Sequence, residues 1–133
     1  MQGTIEYISP DTMHKNPAFS QAVITHGPGK TIYIGGQNGV DIKGEIVDKN
    51  DLVKQTGQAM KNFQLALEAS LAGWENVIKM NIYIVQGGDL ASAYKAAQPF
   101  MTGIKKPPIV TVLFVAALGR PDFLIEIDGI AYL

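Results

Sequence analysis

Cysteine is absent from this chain, and that gap removes disulfides, zinc–thiolate centres and thiol nucleophiles from consideration. Charge is sparse and balanced: 11 Lys and Arg against 12 Asp and Glu leave a formal net charge of −1. Such a balance gives no electrostatic reason to bind nucleic acid or an anionic membrane. The longest basic run, Lys105-Lys106, is too short to track a phosphate backbone. No apolar run reaches the roughly 18–20 residues of a membrane span. Met1 to Ile8 lacks the basic flank and apolar stretch of a secretion signal, so the expected location is cytoplasmic. Histidine is scarce as well: His14 and His26 stand far apart near turns, without metal-ligand spacing, and no metal is expected. Neither a phosphate loop (Gly-x-x-x-x-Gly-Lys-Ser/Thr) nor a Gly-x-Gly-x-x-Gly turn opening a helix is present.

What is present suits a single domain over residues 1–133 with one core. Ile5 to Ile8 reads as a short strand. Phe19 to Thr25 and Thr31 to Gly36 are apolar, β-branched runs separated by His26-Gly27-Pro28-Gly29-Lys30, and together they read as a hairpin. Glu45 to Val47 offers a further short strand. Leu52, Val53, Met60, Phe63, Ala66, Leu67 and Leu71 recur at helical spacing, with Gly73 as the stop, predicting a helix over 51–72. Val77 to Val85 reads as a strand. Leu90, Ala93, Tyr94, Ala97, Phe100 and Met101 line one face of a second helix that stops at Gly103. Ile109 to Ala117 and Phe123 to Ala131 are the last two strands, joined by the turn Gly119-Arg120-Pro121-Asp122.

This order predicts an α/β (α+β) domain: a mixed six-stranded sheet with both helices on one face. Ile109 to Ala117 is apolar on both faces, and Val77 to Val85 nearly so, interrupted by Lys79 and Asn81. Continuous apolar runs mark strands buried on both sides. Two helices cover one face only, and the other would expose more than the few hundred Å² that monomers tolerate. Copies of the chain are therefore expected to cover it.

Chemistry has few places to reside. Gly35-Gly36-Gln37 ends a strand, where glycine permits close approach of a ligand or backbone, or marks a bulge or strand end. In Phe123-Leu124-Ile125-Glu126-Ile127-Asp128-Gly129-Ile130, Glu126 and Asp128 share a face, with Cα atoms about 6.5–7 Å apart. A carboxylate in so apolar a strand is partnered, exposed at an edge, or functional, and a functional one can hold or activate water.

Several segments together resemble one family, the Rid (YjgF, reactive-intermediate deaminase) proteins. Asn16-Pro17-Ala18-Phe19-Ser20-Gln21-Ala22-Val23 is similar to their Pro-Tyr-Ser-Gln-Ala-Val segment, and Ile34-Gly35-Gly36-Gln37 to their Val-Ser-Gly-Gln strand end. Gln55-Thr56, Asn62 and Leu67-Glu68-Ala69 resemble their first helix, and Val77-Ile78-Lys79 the strand after it. Ile125-Glu126-Ile127-Asp128-Gly129-Ile130-Ala131 is close to their terminal Val-Glu-Ile-Glu-Ala-Ile-Ala. The resemblance covers residues 15–132 in order. It implies a chorismate-mutase-like fold and a homotrimer, with the sheets forming a central barrel and small-molecule clefts between subunits. It further implies hydrolysis of enamines and imines to 2-keto acids and ammonia, with no cofactor. In those proteins an arginine in a Pro-Ala-Arg-Ser segment binds the substrate carboxylate and the terminal glutamate positions a water.

The sequence departs from that pattern at Pro108-Ile109-Val110-Thr111-Val112, where Val110 falls at the arginine. Losing one partner of a desolvated charge pair costs roughly 2–5 kcal/mol. The motif tyrosine is Phe19. What remains is Phe19, Ser20, Gly36 and Glu126, with Val110 and Val112 as apolar lining: a cleft suited to a neutral substrate, with Glu126 as acid/base. The alternatives are a non-enzymatic trimer that binds a small metabolite and a ribonuclease, the latter without support from charge or RNA-stacking motifs.

Overall fold

A computed structural model describes residues 3–133. The elements run β1 (Thr4–Ile8), β2 (Ala22–His26), β3 (Thr31–Gln37), α1 (Leu52–Ala69), β4 (Val77–Val85), α2 (Leu90–Ala97), β5 (Ile109–Val115) and β6 (Ile125–Tyr132). The expected six strands and two helices are all there. Backbone pairing divides the strands into a four-stranded mixed sheet in the order β3-β6-β4-β5 and a two-stranded sheet, β1-β2. The strands β4 and β5 are parallel, joined by the α2 crossover, while β6 runs antiparallel to both its neighbours, β3 and β4.

The hairpin expected between β2 and β3 does not form. Instead β2 pairs with β1, from Thr4↔His26 to Ile8↔Ala22, and β3 pairs with β6. The Tyr132 hydroxyl explains the difference. It accepts from Gly29 N–H (3.0 Å) and donates toward the Gly27 carbonyl (2.7 Å), so it ties up the turn that would have closed the hairpin. Gly3 and Gly29 pack against the Tyr132 ring so closely that a Cβ on either would collide with it. Lys30 and Leu133 then exchange both backbone bonds and carry the chain into the larger sheet. The short strand expected over Glu45 to Val47 is also replaced, by a lone bridge between Val40 and Ile46. There the Asp41 carboxylate accepts from Lys43 N–H and Glu45 N–H (2.9 and 3.1 Å), so the loop turns on itself.

Helix α1 begins at Asp51, whose side chain accepts from Lys54 N–H at 3.0 Å. It ends three residues short of the expected boundary, and Leu71, not a glycine, takes the left-handed turn (φ 61°). Its buried face is Gln55, Thr56, Ala59, Met60, Phe63 and Leu67, while Val53 and Leu71 point outward. This face packs on Ile34, Ile84, Ile125, Ile127 and Ala131 in one core. The Gln55 amide is fully buried and fully bonded. It donates to the Asp48 and Asp122 carbonyls (2.8 and 3.0 Å) and accepts from Leu124 N–H (2.9 Å). Helix and β6 entry are thereby joined, since an unmade bond at any of these groups would cost about 1–3 kcal/mol.

Phe63 stacks on Trp74 with ring centroids 5.1 Å apart, and its edge lies over Gly129. A Cβ at Gly129 would sit 2.6 Å from the Lys79 carbonyl and 2.8 Å from the Phe63 ring. Gly129→Ala is therefore expected to lower stability by about 1–3 kcal/mol. Phe63→Leu in the same chain should recover part of that loss. Denaturant midpoints of the two single variants and the double variant check this, and strict additivity would refute the contact.

Candidate functional site

The helices leave one face of the four-stranded sheet uncovered. Strand register places Glu126, Asp128 and Ile130 of β6 on it, beside Lys79, Asn81 and Tyr83 of β4 and Ile109, Thr111 and Leu113 of β5. The face is thus mixed and less apolar than the strand composition suggested. Tyr33 (77% exposed) and Leu113 (49%) flank a polar strip that crosses the middle strands.

Two acids define the strip, and each has its own partners. Glu126 lies against Gly36, where β3 breaks register with β6 between Ile34 and Gln37. A Cβ at Gly36 would collide with the Glu126 carboxylate, so glycine is what lets the acid sit flat on the strand end. The Asn38 amide donates to Glu126 Oε1 (3.2 Å) and to the Ile125 carbonyl (3.0 Å). Asn38 is itself pinned from α1: the Asn62 amide donates to the Asn38 and Val40 carbonyls (3.0 and 2.9 Å), and Gln58 donates to Asn62 (2.9 Å). A chain of amides therefore runs from the helix to the carboxylate and fixes the loop that holds it.

Asp128 accepts from the Asn81 amide (2.8 Å) and from the Tyr83 hydroxyl (3.1 Å). That hydrogen bond raises the Tyr83 pKa above its ordinary value, helped by burial and by the charges of Asp128 and Glu126. In register, Tyr83 stands directly opposite Glu126. One phenol, two carboxyls and two amides thus sit side by side on this face of the sheet. Among the described residues no lysine or arginine is ion-paired with either acid, and no group of three or more His, Asp or Glu side chains could hold a metal.

The residues singled out from the sequence divide between two places. Gly36 and Glu126 meet on the uncovered face. Val110 and Val112 pair in register with Met80 and Ile82 and point to the helix side of the sheet, where Phe19 joins them around a cavity. Ser20 is buried at the entry to β5. Its hydroxyl donates to the Pro107 carbonyl (2.6 Å) and its N–H to the Pro108 carbonyl (3.0 Å), so it fastens the N-terminal segment to that strand. From β5 it is Thr111 that faces the carboxylates. Asn38 and Tyr83 escaped the sequence reading, while Asn62 entered it only within the family resemblance and Asn81 only as an interruption of an apolar strand. The alternation Lys79, Asn81, Tyr83 along β4 was a usable signal, whereas the loop position of Asn38 carried none.

Residues 11–133 match the family model described as Endoribonuclease L-PSP. The chain is 37% identical over 115 residues to a RutC family protein from Pyrococcus horikoshii, covering 86% of both chains. It is 30% identical over 113 residues to the 2-iminobutanoate/2-iminopropanoate deaminase of Mus musculus, covering 85% of this chain and 79% of that one. Among solved structures it is similar to YyfB, a Rid-family protein of Yersinia pestis, with 32% identity, a TM-score of 0.86, and coverage of 97% and 98%. RidA from an Antarctic Psychrobacter follows the same fold at 25% identity and a TM-score of 0.71, covering 96% of this chain and 99% of that one.

The raised Tyr83 pKa means the fold favours the neutral phenol. Its contribution to stability is present below the ordinary value of 10.0 and is lost as pH rises through the raised value. In an ultraviolet phenolate titration, the difference between the wild-type protein and Tyr83→Phe should show a midpoint above that ordinary value. Asp128→Ala should bring it back down. An ordinary midpoint in both proteins would contradict the Tyr83–Asp128 bond.

Proposed function

The chain belongs to the Endoribonuclease L-PSP (YjgF/Rid) family, and from that premise we propose that it hydrolyses a small enamine or imine, with Glu126 as the acid/base. The observation that carries this reading is the Glu126 carboxylate itself: seated on Gly36, oriented by Asn38, and facing the uncovered side of the sheet. A relative named 2-iminobutanoate/2-iminopropanoate deaminase supports the reaction class.

The chemistry balances with water alone. Glu126 holds a water and takes its proton as the oxygen attacks the C=N carbon. That proton passes to the nitrogen to complete the carbinolamine; Glu126 then takes the carbinolamine hydroxyl proton and delivers it to the same nitrogen, so that C–N cleavage releases ammonia and leaves a carbonyl. An enamine first gains a proton at carbon to become the imine. General acid–base assistance of this kind contributes roughly 10²–10⁴-fold.

The substrate is the less familiar part. Among the described residues neither acid has a cationic partner, so a substrate carboxylate would enter a site already negative, and a neutral imine or enamine fits better. In this reading the working form is a homotrimer whose clefts lie between subunits. Tyr33 and Leu113, exposed in one chain, become contact surface there, and the monomer is inactive. The lack of a cation beside the acids also supports a second reading, a trimer that binds a neutral metabolite without turnover.

Ammonia release from a freshly generated imine, as its neutral amide and as its carboxylate, tests the proposal. The amide is expected to be turned over faster, and Glu126→Gln should lower kcat by about 10²–10⁴-fold. Full activity in Glu126→Gln would remove the proposed mechanism. Thermal-shift binding without turnover, unchanged by Glu126→Gln, would favour the binding trimer instead. A second measurement concerns assembly. By light scattering the wild-type chain should have about three times its 14.4 kDa mass, and Leu113→Lys should yield an inactive monomer. An active monomer would sink the cleft reading.

A further inference from the structure

Two polar side chains break the apolar run of β4, and neither takes part in the reaction written above. Asn81 and Tyr83 point to the uncovered face, and each commits a hydrogen to Asp128, at 2.8 and 3.1 Å. Tyr83 stands opposite Glu126 in register while its hydroxyl reaches along the strand to Asp128, so the phenol spans from one acid to the other.

The balance of donors and acceptors on this strip is lopsided. Both hydrogens of the Asn38 amide are taken, by the Ile125 carbonyl and by Glu126 Oε1. The single hydroxyl hydrogen of Tyr83 is held by Asp128 Oδ2, and Asn81 gives one of its amide hydrogens to Asp128 Oδ1. Among the described residues Glu126 Oε2 accepts no hydrogen bond, and Lys79, the nearest cation by strand position, pairs with neither acid. An ionised carboxylate offers about four lone-pair positions, and a phenol oxygen keeps its own when its hydrogen is donated.

What faces outward is therefore a row of acceptors: Glu126 Oε2, the spare lone pairs of Asp128, and the Tyr83 oxygen. The charge-assisted bond to Asp128 makes that oxygen richer in electrons and a better acceptor. A ligand carbonyl or carboxylate brings only further acceptors to the row and leaves them unmatched. A planar nitrogen group with several N–H bonds matches it. All three side chains are half-buried, so a ligand reaches them on a surface partly shielded from water.

We propose that Asp128 and Tyr83 are specificity-determining residues on this face, selecting a planar group rich in N–H donors, the class shared by a protonated imine (C=NH2+) and an amidinium. This role rests on the reading of Glu126 as the reactive acid: Glu126 acts on water, while Asp128 and Tyr83 choose the nitrogen.

Three ligands of nearly one shape supply the test. Acetamidinium carries N–H bonds on both arms, acetamide on one and acetate on neither, while tetramethylammonium is a cation with no N–H bond. Full-length 15N-labelled protein is titrated with each, and the side-chain amide signals of Asn38 and Asn81 are followed by NMR. Acetamidinium should shift them saturably, acetamide should bind about tenfold more weakly, and acetate and tetramethylammonium should leave them unmoved. Asp128→Asn and Tyr83→Phe should each weaken acetamidinium binding about tenfold, with the signal of the buried Trp74 indole in place to show that the variant is folded. If Asp128→Asn does not fold, the near-isosteric Tyr83→Phe decides. Equal affinity for acetamide or acetate, equal shifts from tetramethylammonium, or full affinity in a folded variant would overturn the proposal. Selective acetamidinium binding by a protein that releases no ammonia from any imine leaves this selection standing and removes the deaminase reading. Ammonia release without a preference for acetamidinium does the reverse.

Discussion

The alternation of side chains along β6 is the constraint on which the rest of the molecule depends. The strand lies between β3 and β4 and is hydrogen-bonded to both. Ile125, Ile127 and Ala131 go to the core and are at most 1% exposed, and each isoleucine so buried contributes about 1.5–3 kcal/mol. Glu126 and Asp128 take the other face by default. A slip of one residue would bury both acids and expose the isoleucines, so the core itself holds the carboxylates in place. Gln55 secures the register from the end of the strand, by gripping Asp122 and Leu124 immediately before it begins.

The same constraint explains what could be read from the sequence. Helices α1 and α2 and strand β6 show local periodicity, β4 and β5 show continuous apolar runs, and the shared face of Glu126 and Asp128 follows from period two alone. Other features depend on partners distant in the chain. The rejection of the β2–β3 hairpin is made by Tyr132, about a hundred residues away. The facing of Val110 and Thr111 is set by the parallel register of β5 on β4, which the α2 crossover determines and no residue of β5 announces. Asn38 matters because Asn62 reaches it from the helix, a contact between two loop-and-surface residue types that carry no pattern.

The facing of β5 also bears on the resemblance read from the sequence. The family resemblance sets Val110 against a carboxylate-binding arginine. In the structure Val110 looks into the helix layer, and Thr111 occupies the neighbouring position on the side of the acids. The nearest cation on that side by strand position is Lys79, one pair along β4 from Asn81, and it makes no ion pair among the described residues. The polar strip is therefore organised by neutral donors: two amides and a phenol. Such a surface recognises hydrogen-bonding shape better than it recognises charge.

The space under α2 opens to solvent. That eight-residue helix therefore meets water on its sheet side as well as its outer side, and its backbone amides exchange with solvent before those of α1, whose face is buried in the core.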